Sequence, residues 1–195
     1  MILFYNQYMI IRLATIDDTE ELLDIYRPYV LDTAITFEYD VPTYEDFKSR
    51  IIHTLEDFPY YVAIIDDKIV GYAYASHFHP RIAYQYLAEI SIYIDQNYHH
   101  QGIGKKLYNL LEETLKKQNI HTLCACIATA DTEDEYLNNN SMHFHEHLSF
   151  KLVGSHHHAG YKFNNWYNMI WMEKDIIPKD HHPTPFIPYR NLYSV

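Results

Sequence analysis

His99-His100-Gln101-Gly102-Ile103-Gly104-Lys105-Lys106 joins two runs of opposite periodicity, and its reading decides the fold. Before it, Leu87 to Ile94 is rich in β-branched and aromatic residues and reads as a strand. After it, Ile103, Leu107, Leu110, Leu111 and Leu115 recur at helical spacing. Two glycines at the mouth of a helix let the backbone approach a ligand. The first-turn N–H groups and the positive end of the helix dipole then favour an anion, typically a phosphate. Lys105 and Lys106 add positive charge, so the segment predicts a pyrophosphate cradle. It is not a Walker loop, because Gly104-Lys105-Lys106 lacks the magnesium-holding hydroxyl. Nor is it a dinucleotide fingerprint, which needs a third glycine.

Working outward, the length of 195 residues and 48% hydrophobic content suit one enzyme-sized domain that needs neither disulfide nor metal. With a net charge of −11 and no Lys/Arg-rich stripe, nucleic acid is not an expected partner. The acidity suits an amine-bearing substrate, although solubility explains it equally well. Cys124 and Cys126 are i, i+2 neighbours on a predicted strand, poorly placed for a disulfide, which points to a cytoplasmic chain with reduced thiols. Met1–Ile11 has no basic n-region or cleavage site, and no membrane span is visible, so no membrane partner is expected.

The elements follow in order. Met9–Ala14 reads as the first strand, with residues 1–8 an N-terminal extension. Asp17 and Glu20 form a candidate capping box for a helix through Leu22, Leu23, Ile25 and Tyr26, disturbed at Pro28. Thr43 caps a second helix carrying Phe47, Ile51 and Leu55. Tyr60–Ile65 and Lys68–Ser76 flank Asp66-Asp67 as a hairpin. Beyond the glycine loop come a helix to Gln118, a strand Thr122–Thr129, a short helix Ser141–Leu148 and two strands, Phe150–Lys162 and Trp166–Lys174. Residues 176–195 form a tail, folded back or disordered, so the domain spans residues 9–175. The histidine clusters His156-His157-His158 and His181-His182 do not read as metal sites, because adjacent strand residues point to opposite faces. His77-Phe78-His79 lacks a third ligand.

The glycine loop resembles the acyl-CoA loop of the GNAT N-acetyltransferases, with His99 where Gln or Arg is usual. Gly71-Tyr72-Ala73-Tyr74-Ala75, Pro80-Arg81-Ile82-Ala83-Tyr84 and Ala88-Glu89-Ile90-Ser91-Ile92-Tyr93-Ile94 look like its phosphinothricin acetyltransferase branch. So do Thr36-Phe37-Glu38, Asn138-Asn139-Asn140-Ser141, His145 to Phe150 and Ala159-Gly160-Tyr161-Lys162. Ser149 stands where the family usually has Gly. The resemblance implies an α/β (α+β) fold: a mixed, mostly antiparallel sheet of about six to seven strands with about four flanking helices. It also implies acetyl-CoA as co-substrate, no metal, and a homodimer.

Glu89 is the candidate general base. Carboxylates are depleted mid-strand, and Glu89, Ser91 and Tyr93 share a face opposite the apolar Ala88, Ile90, Ile92 and Ile94. A carboxylate desolvated there gains a raised pKa, as a base near neutral pH requires. Pattern alone allows equally an edge-strand Glu facing solvent or paired with Arg81; the match to the family's catalytic glutamate favours the base. The resemblance gives His145, four residues after Ser141, proton traffic at the CoA thiolate, as acid or second base. With imidazole at roughly 6.5 and a thiol at roughly 8.5, that traffic is feasible near neutral pH. By the same resemblance, Ile92, Tyr93, Ile94, His99 to Lys105, Asn138 and Ser141 hold acetyl-CoA. Arg81 anchors an acidic substrate group, with Thr33, Thr36, Phe37, Tyr84 and Tyr161 lining the pocket. For any one of the 20 tyrosines, core packing is the simpler reading.

The expected reaction is direct acetyl transfer to the primary amine of a small amino acid or analogue of the phosphinothricin or methionine sulfoximine/sulfone type. The alternatives are the same fold acting on a peptide N-terminus, polyamine or antibiotic, and a non-catalytic acyl-CoA-binding module.

Overall fold

Alternating and helical runs become seven strands and four helices in the computed structural model, which describes residues 9–179 and 182–192. The expected extension, residues 1–8, lies outside the described residues. In chain order the elements are β1 Ile10–Leu13, α1 Thr19–Leu31, α2 Tyr44–Asp57, β2 Tyr60–Ile65, β3 Lys68–His77 and β4 Leu87–Ile94. They continue with α3 Ile103–Lys117, β5 Thr122–Thr129, α4 Asn140–His147, β6 Lys151–Lys162 and β7 Asn165–Asp175. The sheet order is β1-β2-β3-β4-β5-β7-β6. All neighbours are antiparallel except β4 and β5. The mixed, mostly antiparallel fold expected from the sequence is what forms.

Two-residue turns close the hairpins. Asp66 and Asp67 sit at φ 50° and 61°, and Phe163 and Asn164 at 51° and 58°, the left-handed pair that matches strand twist. On one face of the sheet, Leu107, Leu111 and Leu115 of α3 pack on Ala73, Ala75, Ala88 and Ile90. On the other, Leu22 and Tyr26 of α1 and Phe47 and Ile51 of α2 pack on Tyr60 and Tyr72. The alternation read along Leu87–Ile94 therefore holds, with Ala88 and Ile90 facing α3.

Several local expectations are corrected. The capping box lies at Thr15 and Asp18, around a 3-10 turn before α1, and not at Asp17 and Glu20. Asp18 is the residue chosen because Arg12 of β1 clasps both its oxygens at 2.7 Å. The disturbance expected at Pro28 does not interrupt α1, which continues through it to Leu31 with Tyr29 and Val30 buried. Tertiary burial outweighs the one backbone hydrogen bond proline removes. Thr43 does cap α2, accepting from the Asp46 amide at 3.2 Å. Strand alternation fails at His158, whose φ of 52° falls where β6 slips register between His156 and Gly160.

The C-terminal segment folds back where it is described. Buried Gln118 donates through Nε2 to the carbonyls of Asp57 (2.7 Å) and Ile187 (2.9 Å), and Ile187 N–H returns a bond to Gln118 O. Phe186 packs against Phe58 and His77.

Candidate active site

Between β4 and β5 the sheet comes apart. Pairing covers only Leu87–Glu89 against Thr122–Cys124. Yet β3 stays paired with β4 as far as Ile94, and β7 with β5 as far as Thr129. The facing edges of the two central strands thus leave a slot lined by Ser91, Ile92, Tyr93, Cys126, Ile127 and Ala128. An extended molecule can add there as a strand would.

At the open end of β4 the glycine loop turns through His100 (φ 59°) and Gly102 (φ 75°) into α3. A Cβ on Gly102 would meet nothing within 4 Å, so backbone conformation is what calls for glycine there. Gly104 has a different reason: its Cβ would press on Phe144 at 3.1 Å and Ile92 at 3.2 Å. Lys106 is the first amide to bond back, to Gly102 O, so those of Ile103, Gly104 and Lys105 stand at the positive helix end. His99 turns away from this cradle. Its Nε2 lies 3.0 Å from the Tyr29 hydroxyl and 3.1 Å from Ile94 O, while Tyr29 donates to that same carbonyl at 2.6 Å.

Glu89 is half-buried, opposite Ser76 on β3 and Cys124 on β5. Burial alone raises its carboxyl above the ordinary carboxylate range. No ion pair with Arg81 forms; Arg81 is exposed in the loop after β3.

His145 of α4 is buried, and its Nδ1–H donates to Ser141 O at 2.7 Å. Burial lowers its pKa, so the ring is neutral and its bare Nε2 accepts from the Tyr108 hydroxyl at 3.1 Å. Tyr108, His145 and Ser141 all reach the slot. The turn after α4 fixes this histidine's backbone: Phe150 N–H bonds His145 O at 3.0 Å and Ser149 N–H bonds Glu146 O at 2.9 Å. Ser149 takes φ 71° to do so, which explains why glycine suits that position. Asn138 accepts from Asn140 N–H and is exposed. Its neighbour Asn139 ties the chain to the end of β5, bonding Ala130 N–H and C=O at 3.1 Å each. Cys126 is exposed at the slot, where the surrounding protein still desolvates its sulfur enough to push the thiol pKa up to about 11. It is a neutral thiol, consistent with direct transfer.

On the acceptor side, several expected contacts have other partners. The Thr33 hydroxyl closes α1, donating to Tyr29 O at 2.7 Å and accepting from Ile35 N–H. Thr36 Oγ1 meets Tyr26 Oη at 3.0 Å and accepts from Glu38 N–H. Phe37 packs flat on Gly160, where any Cβ would strike its ring. Tyr161 is exposed against Trp166. Tyr84 packs on Phe78, which in turn packs on Trp171 of β7. Beneath the loop, buried Lys162 donates to three carbonyls, Val30 at 2.7 Å, Thr33 at 2.8 Å and Thr36 at 2.9 Å.

The GNAT acetyltransferase domain model matches residues 11–171. The chain belongs to the GNAT acetyltransferase family. It is 29% identical over 164 residues to the phosphinothricin N-acetyltransferase of Streptomyces coelicolor, covering 82% of this chain and 92% of that one. It is 25% identical over 178 residues to a Salmonella typhimurium L-methionine sulfoximine/L-methionine sulfone acetyltransferase, covering 91% and 98%. Among solved structures it resembles a GNAT phosphinothricin acetyltransferase from Sinorhizobium meliloti in complex with AcCoA. That likeness has a TM-score of 0.82 and 28% identity, and covers 93% and 98% of the two chains.

As a GNAT domain the chain uses acetyl-CoA, and its residues fit that molecule. The unpaired β4 edge suits an extended arm, and the helix end beyond Gly102 suits a pyrophosphate. Among the described residues no cluster of His, Cys, Asp or Glu is placed to hold a metal, and no helix is long and apolar enough to cross a membrane. Sequence reasoning missed Tyr108 and Lys162 as site-building residues. Tyr108 lies four residues after Gly104, on the same helix face, a signal that was available. Lys162 lay within the Ala159-Gly160-Tyr161-Lys162 segment, but nothing local showed that its ammonium would hold three carbonyls.

Proposed function

We propose that this acetyl-CoA-dependent N-acetyltransferase modifies the primary amine of a small amino acid or amino-acid analogue, of the phosphinothricin or methionine sulfoximine/sulfone type. The observation that carries this reading is Glu89, a carboxylate with no cation beside it among the described residues, raised by burial next to the slot. The named substrates of the similar proteins support the acceptor class. Acetyl-CoA supplies an activated thioester carbonyl.

The amides of Ile103, Gly104 and Lys105 would hold its pyrophosphate, and the β4 edge from Ile92 to Ile94 its extended arm. Glu89 takes a proton from the acceptor's ammonium, directly or through water, so that the amine becomes nucleophilic. The amine would then add to the thioester carbonyl, the carbon–sulfur bond would break, and CoA would leave as the thiol with the amine's second proton. Burial keeps His145 neutral, which supports a proton-accepting role at Nε2, through the Tyr108 hydroxyl, over that of an acid. Ser141 and Asn139 hold that pair at the slot. Phe37, Tyr84 and Tyr161 border the acceptor's entry, Thr33 and Thr36 shape its loop, and Arg81 steers an acidic acceptor from an exposed position.

We also read residues 9–175 as the catalytic unit, the following segment as a clasp on it, and the chain as cytoplasmic. A homodimer is supported by the outer strand β6, with Leu152 60% and Val153 53% exposed. Glu89→Gln tests the central claim: acetyl-CoA binding by calorimetry should persist while transfer falls about a hundredfold or more near neutral pH. Unchanged turnover would remove Glu89 from the mechanism.

A further inference from the structure

The sheet face that carries Glu89 continues to a second carboxylate. Glu89 pairs with Cys124 on β5, and Cys124 pairs with Glu173 on β7. Their strand neighbours Ala88, Leu123 and Met172 turn into the core under α3, so these three side chains share the opposite face. Burial, and then the charges of Glu89 and Glu173, raise the pKa of the Cys124 thiol between them. Two strand spacings set the backbones of the two glutamates about 10 Å apart.

Beside Glu173 lies a cavity of about 340 Å³, bounded by Leu87 and Thr122 of the sheet and by Tyr84 and Tyr86 of the loop after β3. The C-terminal segment closes one side of it. The Tyr86 hydroxyl reaches Pro183 O at 3.4 Å, and Phe186 N–H donates to Gln85 Oε1 at 3.1 Å. At the rim, Lys179 is taken by Asp175 at 3.1 Å, and the Thr122 hydroxyl donates to the same carboxylate at 2.7 Å.

Two polar side chains of this cavity are left over. Glu173 is half-buried and closes no hydrogen bond or ion pair among the described residues, not even with Lys151 opposite it on β6. His121 lines the cavity at only 8% exposure, its ring edge-on to Tyr86 with centroids 5.5 Å apart. Its ring nitrogens have no hydrogen-bond partner among the described residues. An imidazole so buried calls for a polar atom in the cavity.

We propose that this cavity holds the far end of a dibasic acceptor, an amino acid whose side chain ends in a second ammonium bound by Glu173 and an imidazole nitrogen of His121. The proposal rests on the amino-acid reading above and adds an acceptor class beyond those named there. An ammonium offers donors only, which suits a carboxylate and a ring nitrogen together. The methylenes of its arm would rest on Leu87 and Tyr84 while the reacting amine stays at Glu89. A wholly apolar arm would leave both polar groups unmatched. The net charge of −11 favours the approach of such a cation.

The test uses the full chain with ornithine and norleucine, which differ only in an ammonium or a methyl at the end of the same arm. Wild type should prefer ornithine about tenfold or more in kcat/KM, and mass spectrometry should find the acetyl group on the α-nitrogen. Glu173→Gln keeps the size and removes the charge. It should lower the ornithine-to-norleucine ratio about tenfold, the equivalent of one charge-assisted hydrogen bond, with acetyl-CoA affinity held. Density for ornithine bound with CoA to wild type should place the side-chain ammonium between Glu173 and His121. An unchanged ratio, acetylation of the arm, or density elsewhere overturns the proposal. Methionine sulfone separates the two readings. If wild type acetylates it and not ornithine, the cavity proposal falls and the amino-acid reading stands. If wild type acetylates none of the three, both fall.

Discussion

Along the slot between β4 and β5, the donor half of the site is built from backbone and the acceptor half from side chains. On the proposed donor side the groups are a strand edge, three helix-end amides and one left-handed glycine, all within Ile92–Lys105. On the acceptor side the walls come from α1, α2, β3, the loop after it and the β6–β7 hairpin. They are held by contacts such as Lys162 to Val30, 132 residues apart in sequence. The donor half is therefore indifferent to most side-chain changes, and the acceptor half can change specificity without disturbing the fold.

The sharpest division should come at Glu89, where the two halves meet. Beyond the loss of transfer in Glu89→Gln, the wild-type kcat/KM should rise with pH through a pKa above the ordinary carboxylate value of about 4.3. The variant should lack that limb. A carboxyl raised in the folded state binds its proton more tightly there than when unfolded, so stability falls as pH rises through that range. Glu89→Gln should then melt at least as high as wild type at pH 7, by calorimetry. A lower melting temperature would indicate a structural carboxylate.

Lys162→Met breaks the acceptor half from below. Three carbonyls lose a shared donor, and stability should fall by about 3 kcal/mol in denaturant titration. Acceptor KM should rise about tenfold with acetyl-CoA affinity unchanged; equal loss of both would erase the division between halves.

Gly102→Val attacks the donor half alone. A β-branched residue at φ 75° is strained by about 1–2 kcal/mol, so acetyl-CoA affinity should drop about tenfold with acceptor KM held. Gly104→Val should instead show mainly as lost stability, since Phe144 and Ile92 occupy its space. Arg81→Ala should cost a few-fold in the kcat/KM ratio of a matched acid and amide acceptor. Its exposure limits the effect to about 1 kcal/mol. Last, Ser149→Gly should stabilise by about 0.5–1 kcal/mol with kcat unchanged, because it relieves φ 71° behind His145.

The same division decides what could be read in the sequence. The strand at Leu87–Ile94 and the loop at Gly102 were legible because their signals are local: period two, then glycine, then helical spacing. Glu89 stood out as a carboxylate within a strand, and the structure half-buries it there. His145 was singled out by register with Ser141, but the burial that lowers its pKa and its contact with the Tyr108 hydroxyl, 37 residues away, come from the fold. Thr33 and Thr36 were given to the substrate because a hydroxyl's partner cannot be read from its neighbours in sequence.

The parting of β4 and β5 also has a signature in exchange measurements. Central strands of a sheet ordinarily keep their amide protons longest, but here the two innermost strands each present one row of peptide groups to solvent beyond Glu89 and Cys124. In deuterium the middle of this sheet should therefore label early, before the helices that cover it. Adding acetyl-CoA should slow labelling along Ile90–Ile94 and around Gly102, and leave the hairpin β2–β3 as it was.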